Sequence, residues 1–148
     1  KMARRDFPIT HNFNLHEFEI SAQHPELVEG VPDALLPDLI ELVVTGVQPI
    51  RKKVGAISVL SGYRPPKLNR AVGGSTSSQH MQAQAADLVA KNMSAGDLFL
   101  QIQRDQEKLN LGQVIYYPFQ GFVHVALPSG KWKKPTFFIS KNGKVERI

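Results

Sequence analysis

Apolar residues recur every three or four positions between Pro32 and about Lys53, where Leu35, Leu36, Leu39, Ile40, Leu42, Val43, Val47 and Ile50 form one stripe. That period predicts the longest helix of the chain. Pro32 suits its first turn, whereas Gly46 and Pro49 should bend or break its last turns. Asn14-Leu15-His16-Glu17-Phe18 reads as a short helix start, with Asn14 as cap and Glu17 at the capping-box position. The period then shortens. Ala56–Leu60 and Ala85–Val89 read as strands, separated by a helical turn over Pro65–Val72 and a Gly/Ser loop over 73–78. Ser94 and Asp97 open a second helix predicted to reach about Leu109, with Leu98, Ile102 and Leu109 facing the core. Gln113–Tyr117 and Phe122–Leu127 are further strands joined through a turn containing Pro118. Thr136–Ile139 and Lys144-Val145 flank Asn142-Gly143, the preferred two-residue hairpin turn. Helices early and strands late predict an α+β domain, with a mostly antiparallel sheet flanked by two main helices.

Composition narrows the chemistry. A chain of 148 residues buries enough surface to fold as one domain without a disulfide or a metal. It has no cysteine, which excludes disulfide frameworks, thiolate-held zinc, iron–sulfur clusters and cysteine nucleophiles. A metal would therefore rest on histidine and carboxylate. No apolar run approaches a membrane span. The basic start, Lys1 to Asp6, is followed by no apolar core, so no signal peptide is expected in the sequence. The net charge of +5 raises the possibility of a polyanionic partner, and Lys52-Lys53 and Lys131-Trp132-Lys133-Lys134 are local basic patches. Trp132 between lysines could stack on a nucleobase, but no nucleic-acid motif accompanies it. The expectation is no nucleic-acid partner and solvated lysines.

The informative stretch is Ser61–Leu88. His80 ends a serine-rich loop, and Asp87 lies within Ala85-Ala86-Asp87-Leu88-Val89, a small-residue strand that should bury it. A buried carboxylate needs a partner. His124 stands alone in the apolar run Phe122-Val123-His124-Val125-Ala126. Two histidines and one carboxylate with a free fourth position make a catalytic rather than a structural zinc set. Taken singly, each has an ordinary reading as a hydrogen-bonded core group. His11, His16 and His24 lie in polar sequence and should be solvated.

SGYR (61–64), then LN-x-AVGG, then S-x-H, then six residues to an aspartate in an AAD context, resembles the D-Ala-D-Ala carboxypeptidase/L-alanyl-D-glutamate endopeptidase family of zinc peptidases. These enzymes cut peptidoglycan stem peptides and include phage endolysins. The order of parts is also similar, from NFNLHEF through the long helix and SGYR to QVIYY and GFVHVAL, roughly residues 12 to 128. The resemblance implies a hedgehog/D-Ala-D-Ala-peptidase-like fold and one zinc ion on His80, Asp87 and His124. It implies that Arg64 binds substrate and stabilises an oxyanion, and that Ser78 helps to hold a substrate carboxylate. Gln79 would line the cleft, Tyr63 would pack, and Asn69 with Gly73-Gly74 would shape the loop.

The family also places an acid near its last histidine. The three slots that carry it are Gly121, Tyr117 and Ala126 here. Glu17, Glu19 or Asp97 could swing in, or Tyr117 could serve as proton donor. A third outcome is a domain that holds zinc and a cell-wall peptide without turnover, as the hedgehog domain is used for binding. Ala83 stands where the family's metal loop commonly has glycine, and Gln84 where it has a basic residue. The resulting expectation is a zinc metallopeptidase, of D,D- or L,D-type, acting on peptidoglycan. It would be monomeric and either periplasmic, extracellular at the cell wall, or phage-encoded.

Overall fold

The computed structural model describes residues 4–148; Lys1–Ala3 of the basic start lie outside the described residues. Its frame is one six-stranded sheet built from β1 (Ile57–Ser61), β2 (Ala85–Ala90), β3 (Gln113–Tyr117), β4 (Phe122–Ala126), β5 (Thr136–Lys141) and β6 (Lys144–Arg147). The strands lie in the order β1-β2-β4-β3-β5-β6. All neighbours are antiparallel except β3 and β5. The fold is thus α+β with a mostly antiparallel sheet.

The parallel pair follows from how the chain leaves β4. Both edges of β4 are already taken, by β2 and β3, so residues 127–135 must cross the start of β3 to find a free edge. They cross at Gly112, whose N–H donates to Ala126 O at 2.8 Å and whose carbonyl accepts from Thr136 N at 2.8 Å. A Cβ on Gly112 would stand 2.7 Å from Pro128 Cα, so only glycine admits the crossing chain. The final hairpin turns through Asn142 and Gly143, both at positive φ (51° and 78°), as the two-residue turn requires.

The long helix is modified rather than broken. A 3-10 turn, Asp33–Leu35, leads into α1 (Leu36–Leu42), a π-helical turn over Val43–Val47, and α2 (Gln48–Val54). Pro49 has no N–H to offer the Thr45 carbonyl, and the wider turn accommodates its ring. Thr45 O accepts instead from Asn110 N at 3.2 Å. Leu39, Leu42, Val43, Val47 and Ile50 are buried. Ile40 is 37% exposed, contrary to the predicted stripe, because it lies one residue off the 39-43-47-50 row.

The other helices are α3 (Pro66–Ala71) and α4 (Ala95–Arg104). Ser94 Oγ caps α4 by accepting from Asp97 N at 3.1 Å. The helix stops short of Leu109, since a 3-10 turn over Gln106–Lys108 replaces its predicted end. Leu98, Ile102 and Leu109 are nevertheless buried, as the period predicts. The core lies between this helical layer and the sheet, closed at one end by Phe13, Leu15 and Phe18. The Asn14 start is a 3-10 turn whose capping box forms, with Glu17 accepting from Asn14 N at 2.7 Å.

Candidate metal centre

Asp87 on β2 and His124 on β4 are directly opposite one another in register. Cross-strand partners stand about 5 Å apart, so this pairing alone brings the two side chains together. His124 Nδ1 lies 3.0 Å from Asp87 Oδ1. A bulge in β1 between Val59 and Ser61 sets Ser61 against Asp87, and the chain then turns through Gly62-Tyr63-Arg64 along the same end of the sheet.

His80 arrives from a 3-10 turn over Gln79–Gln82, capped by Ser78, whose Oγ accepts from His80 N at 3.2 Å. Its Nδ1 is 2.8 Å from the Gly62 carbonyl. A carbonyl can only accept, so Nδ1 carries the proton and Nε2 is left bare in the neutral ring. Nε2 lies 3.3 Å from the same Asp87 oxygen. Backbone carbonyls commonly orient metal-binding imidazoles in this way.

One ligand atom from each of His80, Asp87 and His124 lies within 4.8 Å of the others, and the group could hold a metal ion. The chemistry of the donor set fits zinc: two imidazoles and one carboxylate, all buried and all lining one cleft. Burial pushes Asp87 towards protonation, but the charge and hydrogen bonds that His80 and His124 offer when they carry protons towards it outweigh burial and hold the carboxyl well below the usual range; a bound cation would take the place of those protons. Burial lowers the His124 pKa against the opposing pull of Asp87, which favours the neutral, ligating ring. A deprotonated carboxylate beside a neutral imidazole is what cation binding requires.

The cleft has a volume of about 920 Å³. Arg64 lines it, with Nη2 3.8 Å from Asp87 Oδ2 and Nη1 donating to Asn69 Oδ1 at 3.0 Å. Asn69 in turn donates to Ser75 O at 2.9 Å. The guanidinium is therefore fixed to the serine loop through one buried amide. A Cβ on Gly74 would come within 2.7 Å of Arg64 Nη1, which explains a glycine at that point of the loop. Tyr63 is buried in the core, as expected. Ser78 and Gln79 line the cleft, but the Gln79 amide nitrogen is committed to Leu127 O at 2.9 Å and Gln84 Oε1 at 3.2 Å.

Tyr117, at the end of β3, also lines the cleft and stacks on Phe122 with ring centres 4.6 Å apart. Burial raises its pKa and the nearby Asp87 charge raises it further, so the phenol keeps its proton. A family model described as Peptidase M15 matches residues 12–126. The chain belongs to the M15 peptidase family. A search of curated proteins finds no match.

M15 peptidases are zinc metallopeptidases, and among the described residues of this M15 chain His80, Asp87 and His124 form a group that could carry the ion. Ala83 has φ +56°, a left-handed conformation that costs a non-glycine residue roughly 1–2 kcal/mol. A glycine avoids that cost, and here the fully buried Ala83 methyl offsets part of it. Gln84, in the basic slot, donates to Asp38 Oδ2 at 2.9 Å and so joins the metal loop to α1.

The distant acids do not reach the cleft of this M15 domain. Glu17 caps Asn14, Glu19 accepts from Val31 N at 2.7 Å, and Asp97 lies in the first turn of α4. Among the described residues that line the cleft, Asp87 is the only carboxylate. His16 is exposed, and His24 is half-buried with Nδ1 3.0 Å from Glu26 Oε2; neither lines the cleft. Ser21–Gln23, Gln113 and Gln120 do line it and carry no sequence signal, being ordinary polar residues on separate segments.

Proposed function

We propose that this M15 chain hydrolyses a peptide bond in peptidoglycan stem peptides, with His80, Asp87 and His124 holding one zinc ion. The observation that carries the reading is the buried two-histidine, one-carboxylate cluster lining a cleft that Arg64 also lines. Bound there, zinc would supply Lewis acidity towards the scissile carbonyl and towards a water. The remaining work falls to side chains. The Arg64 guanidinium, held by Asn69, is placed to stabilise negative charge on the carbonyl oxygen. Ser78 Oγ accepts from a backbone N–H and still has its own hydrogen to donate to a substrate carboxylate. The protonated Tyr117 phenol would donate to the leaving amine and regain a proton from the water consumed, so that the water supplies both the hydroxyl on the carbonyl carbon and, through Tyr117, the hydrogen on the amine. This substrate sets the place of action at the cell wall, for a bacterial or a phage product.

The test is incubation of zinc-loaded protein with purified muropeptides, read by chromatography and mass spectrometry. The expected result is a product shortened at one peptide bond, D,D or L,D. Tyr117→Phe should lower kcat roughly 100-fold with zinc content unchanged, the lower end of what a positioned proton donor contributes. Wild-type kcat in that variant would remove Tyr117 from the chemistry.

A second reading rests on one specific feature, the absence of a second carboxylate among the described cleft residues. It is a domain that binds the stem peptide without cutting it. Muropeptide binding by zinc-loaded protein, with no product at high protein concentration, would establish that reading in place of the first.

A further inference from the structure

Residues beyond 126 lie past the stretch matched by the family, yet they build part of the cleft. The segment that crosses Gly112 folds into a tight turn in which Ser129 N donates to Trp132 O at 3.1 Å and Trp132 N to Ser129 O at 2.8 Å. Its tip places Gly130, Lys131 and Trp132 on the cleft wall, with Arg64 lining the same cleft. Gly112 packs under the turn and fixes it to the sheet.

The Trp132 ring is not an open platform. Lys131 Nζ lies over it at 5.1 Å, the Arg147 guanidinium over it at 5.6 Å, and Phe138 meets it edge-on at 5.1 Å. A ring attended by two cations is poorly placed to stack on a base or a sugar. It is well placed to hold those cations. Among the described residues, neither Lys131 nor Arg147 has an ion-pair partner. The cleft therefore has cations at Arg64 and Lys131, while Asp87, its one carboxylate among the described residues, is already faced by two imidazoles.

We propose that Lys131, positioned by Trp132, is a specificity-determining residue that binds a free carboxylate of the peptide substrate away from the scissile bond. This rests on the peptidase reading above and names the substrate class as acidic stem peptides over their amidated counterparts. Lys131 is exposed, so the attraction is screened by salt and acts mainly on substrate affinity.

Trp132 is the only tryptophan of the chain, so its fluorescence reports the turn directly. The experiment uses the zinc-loaded full chain, a stem peptide with a free D-glutamate carboxylate, and the same peptide amidated there. Stopped-flow emission reads binding before turnover. The acidic peptide should change Trp132 emission, and Lys131→Glu should weaken its binding about tenfold, the size of one charge-assisted contact. The amidated peptide should bind wild type and variant alike. In steady state, the change should fall on KM, with kcat held. Lys131→Met, which removes the charge without reversing it, should give a smaller loss of the same selectivity.

Equal effects of Lys131→Glu on the two peptides would overturn the proposal, as would unmoved Trp132 emission under calorimetrically saturating peptide. In those cases hydrolysis still stands. If neither peptide is bound or cut, the peptidase reading fails and this proposal with it. Quenching by a single-stranded oligonucleotide, without response to either peptide, would likewise overturn it, in favour of nucleic acid.

Discussion

His124→Ala is expected to abolish stoichiometric zinc binding and, with it, all measurable peptide hydrolysis. A site with the three proposed protein ligands has no reserve. A residue that merely orients a ligand is worth roughly 10–100-fold in metal affinity, and loss of a ligand should exceed that. Metal analysis after dialysis checks the first part, and muropeptide turnover the second. His24→Ala is the control and should keep full zinc, since His24 is engaged with Glu26 and does not line the cleft. Wild-type zinc stoichiometry in His124→Ala would sink the proposed ligand set.

The same variant tests the site without metal. His124 is one of two imidazoles that face the buried Asp87 carboxylate, so its removal should cost the metal-free protein about 1–3 kcal/mol, measured by urea unfolding. The pH dependence has a definite sign. Asp87 has a lower pKa folded than unfolded, so its contribution is present above the unfolded value of about 4 and is lost as pH falls through the folded one. His124→Ala should shrink that acid-side loss by removing one of the groups that depress the pKa.

Arg64→Met should have the next largest effect, a fall of roughly 10²–10³-fold in kcat with zinc retained. The guanidinium sits in the cleft beside Asp87, yet is tied to Asn69 rather than paired closely with the carboxylate at 3.8 Å. Burial lowers its pKa while Asp87 and Tyr117 oppose the change. A cation held partly desolvated by a neutral amide is free to act on an incoming oxyanion. The measurement is kcat and zinc content on the same preparation. A change in KM alone would assign Arg64 to substrate binding only, and activity within a few-fold of wild type would exclude it from charge stabilisation. Removing it also unsatisfies the buried Asn69 carbonyl, which should cost about 1 kcal/mol of stability.

Much of this was legible before folding. The apolar run Phe122–Ala126 and the small residues of Ala85–Ala90 mark two buried strands, and one polar group in each signals a compensated site. The Ser94 cap, the Asn14–Glu17 capping box and the Asn142-Gly143 hairpin are local devices and form as their residues dictate. The π-helical turn was not legible as such. Gly46 and Pro49 announce a disturbance, but its form depends on Asn110, distant in sequence, which takes the carbonyl that Pro49 leaves free. The parallel β3–β5 pair was missed for a related reason. It is set by which sheet edges remain open after β4 is placed.

What the sequence determined by itself is the ligand chemistry: without cysteine, a metal must sit on histidine and carboxylate, and the spacing of His80, Asp87 and His124 resembles a zinc peptidase. Side-chain type and local period suffice for the donor chemistry and for the burial of Asp87 and His124, which are short-range properties, whereas the particular set of three is what the family resemblance implies. Only the tertiary structure decided the rest. It gave the bare His80 nitrogen through the Gly62 carbonyl, denied the cleft to Glu17, Glu19 and Asp97, and brought Lys131 and Trp132 to its wall. Those outcomes depend on strand register and on a crossing at Gly112, which arise from packing between segments far apart in the chain.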